Sequence, residues 1–268
     1  MKKIRFSRKH FGIPYAVFLL FFVIFPLFLI VKYAFTDSDG HVTVENFINF
    51  FKYNANLTAL FTSLGLAICT TIICIVLAYP VAYILSKNKS NKTAILLLLF
   101  ILPMWINFVL RTAAMKELLY KLGLFKSNKT SFLNTVIGMV YDYLPFAVLP
   151  IYTTLSKMDK SLTEASLDLG ASPAKTFLKI TLPLSKPGVI SAITMILLPT
   201  TTSYVISDTL GNGNVTIIGK LIENQFSTMF DWNMGSAIAL ILLVVIFVSM
   251  IFTNKFSDTE VEARGGLW

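Results

Sequence analysis

Five groups of side chains in this sequence could do chemistry, and all lie in or beside apolar runs. Asp142 interrupts a charge-poor stretch, with Tyr141 and Tyr143 on either side. A carboxylate between two aromatic rings suits an organic cation, because the acid takes the charge and the ring faces attract it. It suits a basic side chain equally well. A charge inside a membrane span costs about 2.5–3.5 kcal/mol, so Asp142 must face a partner or a wet cavity. Tyr204 and Asp208 repeat the pairing at i, i+4, about 40° apart on one helix face. Trp105 offers a further ring, either to stack on a cation or to anchor at a membrane surface. The hydroxyls of Thr200, Thr201, Thr202 and Ser203 either line a path or bond their own helix backbone. The fifth group, Glu164-Ala165-Ser166 with Gly170, carries the marks of a helix end rather than of a reaction.

No catalytic set emerges. A phosphate-binding loop needs two glycines five residues apart followed by Lys and a hydroxyl. The nearest approach, Gly213 to Gly219-Lys220-Leu221, is one residue too long and ends on Leu221. The histidines are His10 and His41 alone, and neither is read as lying near an acidic pair, so no metal site is expected. A Ser-His-Asp arrangement is not apparent. The chain is therefore read as no enzyme, with no cofactor and no metal of its own.

The elements that must position these residues follow from composition. The chain has 268 residues, 55% hydrophobic and only 14% charged. A soluble domain carries about 25% charged residues, so too few are present to cover a water-facing surface. With 23 Phe and 10 Tyr the chain is also not a disordered one. A span across about 30 Å of hydrocarbon needs roughly 20 residues. Charge-free runs occur at Phe11–Val31, Tyr53–Ser86, Thr93–Leu110, Pro187–Ser207 and Trp232–Asn254, and Thr130–Ser156 is broken only by Asp142. The runs are continuous rather than alternating, which excludes a membrane barrel. The expectation is an all-α polytopic membrane protein forming one domain over 1–268. Its six transmembrane helices are expected near 11–35, 58–86, 94–112, 133–156, 187–208 and 233–254. The first run is too long for a cleaved leader and is expected to stay as an anchor. Cys69 and Cys74 are about 140° apart on their helix and read as small apolar side chains.

Net charge is +9. In this setting the basic residues are read as orienting the chain in a lipid membrane, not as binding nucleic acid. Placing both ends inside puts 15 of the 23 basic residues on the inner side: five within residues 1–10, then Lys87, Lys89, Lys92, Lys157, Lys160, Lys175, Lys179, Lys186, Lys255 and Arg264. The expected orientation is N-in/C-in. The loop between the third and fourth spans runs against it, with Arg111, Lys116, Lys121, Lys126 and Lys129.

The inner loop 157–186 is the most structured connection. Ser161-Leu162-Thr163-Glu164 reads as a capping box, and Leu162, Ala165, Ser166 and Leu169 form a small apolar stripe. Gly170 is placed to end the helix in a left-handed conformation. Ser172-Pro173 starts a second helix as N-cap and first turn, with Ala174, Phe177 and Leu178 as its apolar face, and Leu182-Pro183 is expected to stop it. Two helices in place of a plain loop make either a docking surface for a soluble partner or a hairpin resting on lipid headgroups.

The pattern Glu164-Ala165-Ser166, three residues, Gly170, nine residues, Ile180, then Leu182-Pro183 resembles the EAA loop of ATP-binding-cassette importer permeases, with Ser166 where that family usually has a second Ala. Leu102-Pro103-Met104-Trp105, Arg111, Tyr143-Leu144-Pro145-Phe146, Tyr204-Val205-Ile206-Ser207-Asp208 with Leu210-Gly211, and Asp231-Trp232 resemble its spermidine/putrescine subfamily, over about residues 60–250. The resemblance implies a type I ABC importer permease fold in the bacterial plasma (inner or cell) membrane. It implies two copies of a partner ATPase that bind the ATP and Mg, a second homologous permease subunit and an extracytoplasmic polyamine-binding protein. Glu164, Ala165, Ser166, Leu169, Gly170 and Ala171 would then couple to the ATPase, and Asp142, Tyr141, Tyr143, Trp105, Tyr204 and Asp208 would line the substrate path. The alternatives are a permease of the same kind for an inorganic ion, iron or sugar, and a secondary carrier that needs no ATPase. Asp142 could equally pair with a basic residue of the second permease.

Overall fold

The computed structural model describes residues 12–88, 91–125 and 130–264. The basic cluster within 1–10, His10, Lys89, Lys126 and Lys129 lie outside them. Among the described residues the chain is helical throughout, with a single β-bridge between Thr36 and Val42. Five helices are long and apolar enough to cross a membrane, or six if one sharply bent pair is counted as a span. The contacts gather into two units, one holding the described chain up to Leu57 with Leu221–Val244, the other Thr58–Lys220 with the chain from Val245.

In the first unit, α1 (Pro14–Ala34) buries none of its apolar window within the chain, so its side chains are left for lipid or a partner. Its regular turns widen to a π-turn at Leu20–Ile24, one residue before Pro26. The loop that follows is closed by Asp37, whose carboxylate accepts the N–H groups of Asp39 and His41. The His41 N–H, foremost, holds that carboxyl below its ordinary range. This corrects the reading of His41. It does lie by two carboxylates, with ligating atoms of Asp37, Asp39 and His41 within 4.8 Å of one another, but the cluster is largely exposed and Asp37 is taken up by backbone donors. Asn46 on α2 (Glu45–Lys52) and Asn233 both donate to carbonyls of this loop.

In the second unit, α3 (Asn54–Lys87, shared at its start with the first unit) turns Ala67, Cys74, Ala78 and Ala82 inward, all fully buried. Lipid tails are as apolar as side chains, so helices associate through close packing, and small residues permit it. That stripe meets Ala147, Val148 and Ile151 of α6 (Ser131–Lys157) and Ala192 and Ile196 of the helix after the 157–186 loop. Gly188 sharpens the contact: a Cβ there would lie 2.9 Å from the Pro150 carbonyl oxygen. Cys69 is exposed and Cys74 buried, both free.

Two predicted spans are broken. The third is not a straight helix over 94–112. It runs as α4 (Asn91–Ile101) with a 3-10 turn at Leu102–Trp105, and resumes as α5 (Phe108–Lys121) after a bend of 96°. Pro103 weakens the helix, Ile106 is extended, and the Asn107 side chain accepts the Val109 N–H at 2.9 Å to start a new helix. The fifth, expected over 187–208, begins instead at Pro173 and forms α8 (Pro173–Thr202). Leu182-Pro183 does not stop it. A π-turn at Phe177–Thr181, again just before a proline, widens the ladder and lets the helix pass Pro183. It ends at Ser203, and α9 (Tyr204–Leu210) follows. The hydroxyls of Thr200, Thr201, Thr202 and Ser203 all bond carbonyls three or four residues back, which supports the backbone at this break.

Candidate functional site

The loop end of the second unit holds α7 (Lys160–Asp168). Its cap is Asp159 rather than the Ser161 expected from the capping box: the carboxylate accepts the Ser161 N–H at 3.0 Å. Asp159 stands before the first helical residue, where the first-turn N–H groups have no other partner, while Ser161 is already inside. That hydrogen bond, with one from the Ser161 hydroxyl, holds the Asp159 carboxyl below its ordinary range. Glu164 therefore sits beyond the first turn, exposed.

Gly170 adopts φ +82°, as its position predicts. The Gly170 N–H donates to the Leu167 carbonyl and the Ala171 N–H to the Ser166 carbonyl, the paired bonds of a left-handed helix end. Nothing lies within 4 Å of a Cβ at Gly170, so the demand for glycine is conformational, not steric. Ser172 caps the next turn through the Lys175 N–H. Ser166 lies 3.0 Å from Thr176 through their hydroxyls, which ties the two helices of the loop together. The inward face of the second is Thr176, Phe177 and Thr181. Ala174 and Leu178 of the predicted apolar face stay exposed, because Phe177 seats edge-on against Tyr79 and Tyr83 and sets the rotation. The open side of α7 carries Glu164, Ala165 and Asp168, all exposed, while the half-exposed Leu162 and Leu167 line hollows on either side of the helix and Leu169, just past its end, is 89% exposed.

Deeper in the same unit, the bend after Trp105 opens a cavity of 360 Å³. Trp105, Asn107, Arg111, Asp142, Tyr143 and Phe146 are among its walls. Three predicted path residues, Trp105, Asp142 and Tyr143, thus meet in one place, although Trp105 remains 81% exposed. Asp142 finds its cation in this chain: Arg111 Nη2 lies 2.9 Å from its Oδ1, with the side chains only 7% and 4% exposed. Thr112 Oγ1 lies 3.3 Å from the other carboxylate oxygen and 2.8 Å from the Phe108 carbonyl, so its one proton favours the nearer acceptor. Nε and Nη1 of Arg111 meet no acceptor among the described residues. Tyr143 reaches across to hydrogen-bond the Ser203 hydroxyl at the α8–α9 break. Tyr141 points another way, its ring centroid 5.7 Å from the Arg111 guanidinium carbon.

Tyr204 and Asp208 do share a face of α9, away from the cavity, and both meet Lys220. Its Nζ lies 3.4 Å from Asp208 Oδ2 and 5.7 Å from the Tyr204 ring centroid. Sequence reasoning missed Arg111 and Lys220 as partners because both were counted as loop charges. Arg111 is buried, so one of the five basic residues that ran against the orientation is no surface charge at all.

The comparisons agree with this architecture. The alginate importer of a bacterium superposes with a TM-score of 0.74 at 15% identity, over 94% of each chain. The same kind of importer, in complex with an alginate pentasaccharide-bound periplasmic protein, gives 0.77 at 14% over 93% of each. At these identities the likeness is one of fold. The spermidine/putrescine transport system permease protein PotB of Haemophilus influenzae is 34% identical, covering 91% of this chain and 93% of its own. PotB of Escherichia coli K12 is 32% identical over 87% and 91%. The Mycoplasma genitalium PotB homolog is 27% identical over 96% and 94%. The family described as "Binding-protein-dependent transport system inner membrane component" matches residues 11–258, and this multi-pass membrane chain belongs to it.

Proposed function

We propose that this chain is a permease subunit of an ATP-driven importer that moves spermidine or putrescine into the cytoplasm. The observation that carries the cargo is the likeness to PotB permeases along nine-tenths of the chain. The geometry is compatible: the cavity beside the bend joins a carboxylate to four aromatic rings, Trp105, Phe108, Tyr143 and Phe146, which suits an alkylammonium chain. The orientation is N-in/C-in, with the loop 157–186 on the cytoplasmic side. The partners are a second permease and an extracytoplasmic binding protein, with two copies of an ATPase that hold the ATP and Mg.

The open side of α7, with Glu164 on it, forms the surface on which an ATPase seats, and Leu169 beside the Gly170 turn extends it. Because α8 runs without interruption from Pro173 into the span, a push on α7 is transmitted to the break at Ser203. ATP-driven closure then switches the cavity between the two sides of the membrane.

Each carboxylate on the path already carries a cation from its own chain, Arg111 or Lys220. The lining is therefore close to neutral before cargo arrives, and an entering ammonium must share or replace a resident one. The test is uptake of labelled spermidine and putrescine by the chain co-reconstituted with its ATPase, second permease and binding protein. ATP-dependent uptake that unlabelled polyamine suppresses and sulfate does not is the expected result. Uptake without the ATPase, or suppression by sulfate alone, would refute it.

A further inference from the structure

We infer that Lys220 is a tethered stand-in for the substrate's own ammonium, occupying the Asp208–Tyr204 site until cargo displaces it; the inference rests on the polyamine reading above. The Lys220 head sits on a carboxylate at 3.4 Å and near an aromatic face at 5.7 Å. These are the two contacts by which proteins recognise alkylammonium groups, and a lysine side chain ends in that group on a short hydrocarbon stem.

The chain places this lysine by its backbone. Ile217 and Ile218 are fully buried, and the Ile218 N–H donates to Ser63 Oγ at 2.7 Å. Gly219 lies so close to Thr202 that a Cβ would come within 2.4 Å of the Thr202 carbonyl oxygen. The Lys220 stem therefore starts from a fixed point beside the α8–α9 break and stays in reach of α9. The ion pair is open to water: Asp208 is half-exposed and Lys220 is 27% exposed. An ion pair this open to water is weak. The Arg111–Asp142 pair is buried at 2.9 Å and gives no such exchange.

A tethered competitor acts at high effective concentration, on the order of millimolar. A monoamine brings one ammonium and gains little by replacing one that is already there. A polyamine brings a second, which remains to be used elsewhere on the path. Lys220 thus favours multivalent amines over single ones.

The test uses the assembled importer in lipid nanodiscs without its binding protein, and equilibrium binding of labelled spermidine. K220M should tighten spermidine binding about two- to fivefold, the size of one partly exposed ion pair, and should tighten a monoamine such as propylamine at least as much. K220R, which keeps a cation on Asp208, should return binding toward wild type. A merely structural lysine would weaken binding when removed, not tighten it. Saturating spermidine should also raise the acylation rate of Lys220 by an amine-reactive reagent, read by mass spectrometry. Wild-type ATP-dependent uptake is measured alongside. If wild type takes up spermidine but K220M binds it no tighter and Lys220 acylation is indifferent to it, this inference falls and the polyamine reading stands. If the wild-type importer neither binds nor transports polyamines, both fall.

Discussion

Removing one member of the Arg111–Asp142 pair should damage the protein far more than removing both. The two side chains are 2.9 Å apart and at least nine-tenths buried, between α5 and α6. R111M leaves a carboxylate with only the Thr112 hydroxyl near it, and that proton is better used on the Phe108 carbonyl. D142N leaves a guanidinium that already has two nitrogens without an acceptor among the described residues. An uncompensated buried charge costs about 3–5 kcal/mol, whereas replacing a whole pair by apolar side chains is about neutral. At 1.4 kcal/mol per factor of ten, each single variant should lose about two to three and a half orders of magnitude in folding equilibrium, and R111M/D142L should recover nearly all of it. Membrane abundance and the thermal midpoint of the assembled importer in detergent report this directly. Single variants with wild-type abundance and midpoint, or a double variant worse than either single, would refute the reasoning. Uptake then separates two roles for Asp142. A double variant that is stable and transports normally makes the pair purely structural, and one that is stable but fails to transport puts Asp142 on the path.

Further outcomes follow from the loop and the helix contacts. Gly170→Val forces a β-branched residue to φ +82°, at about 1–2 kcal/mol, and should uncouple ATP hydrolysis from uptake without loss of insertion, while Gly170→Asn, which tolerates that conformation, should stay coupled; equal uptake by both variants would show that the turn does not matter. Gly188→Ala pushes a Cβ against the Pro150 carbonyl, which cannot rotate away, and should lower stability by about 1–3 kcal/mol, seen as a drop in thermal midpoint. Asp159 is ionised more readily folded than unfolded, so its contribution to α7 is complete above the ordinary carboxyl value of 3.8 and is lost as pH falls through its lower folded value; hydrogen exchange of residues 160–168 should accelerate in that acid window and in D159A at neutral pH.

What the sequence made legible was whatever is encoded locally. Apolar runs located the spans, and Gly170 and Ser172-Pro173 announced a turn and a restart that the backbone adopts. Local rules failed where the chain offers two devices for one task. Ser161 and Asp159 are both competent caps, and the outcome depends on which residue stands before the first turn. Leu182-Pro183 looks like a stop, but the π-turn at Phe177–Thr181 directly before it reconciles it with a continuous helix, and nothing in residue types alone signals that turn. The pairing of Asp142 with Arg111 and of Asp208 with Lys220 spans long sequence separations, so only the packing of α5 on α6 and of the Gly219 turn on Thr202 could disclose it.

The two broken spans support the proposed placement of the path. A backbone that leaves the helix at membrane depth exposes N–H and C=O groups, which is tolerated only where protein or water receives them. One break, at Ile106 and Asn107, forms a wall of the cavity. The other, at Ser203, bonds through its hydroxyl to Tyr143 of the same cavity, and that hydroxyl and the three before it take up carbonyls of α8. Two independent interruptions, one written by Pro103 and Asn107 and one by Pro199 and Ser203, therefore converge on Asp142 and its neighbours. Lipid would penalise either alone. A wet cavity on the proposed path favours both, and it would also give the remaining N–H groups of Arg111 a place to be solvated.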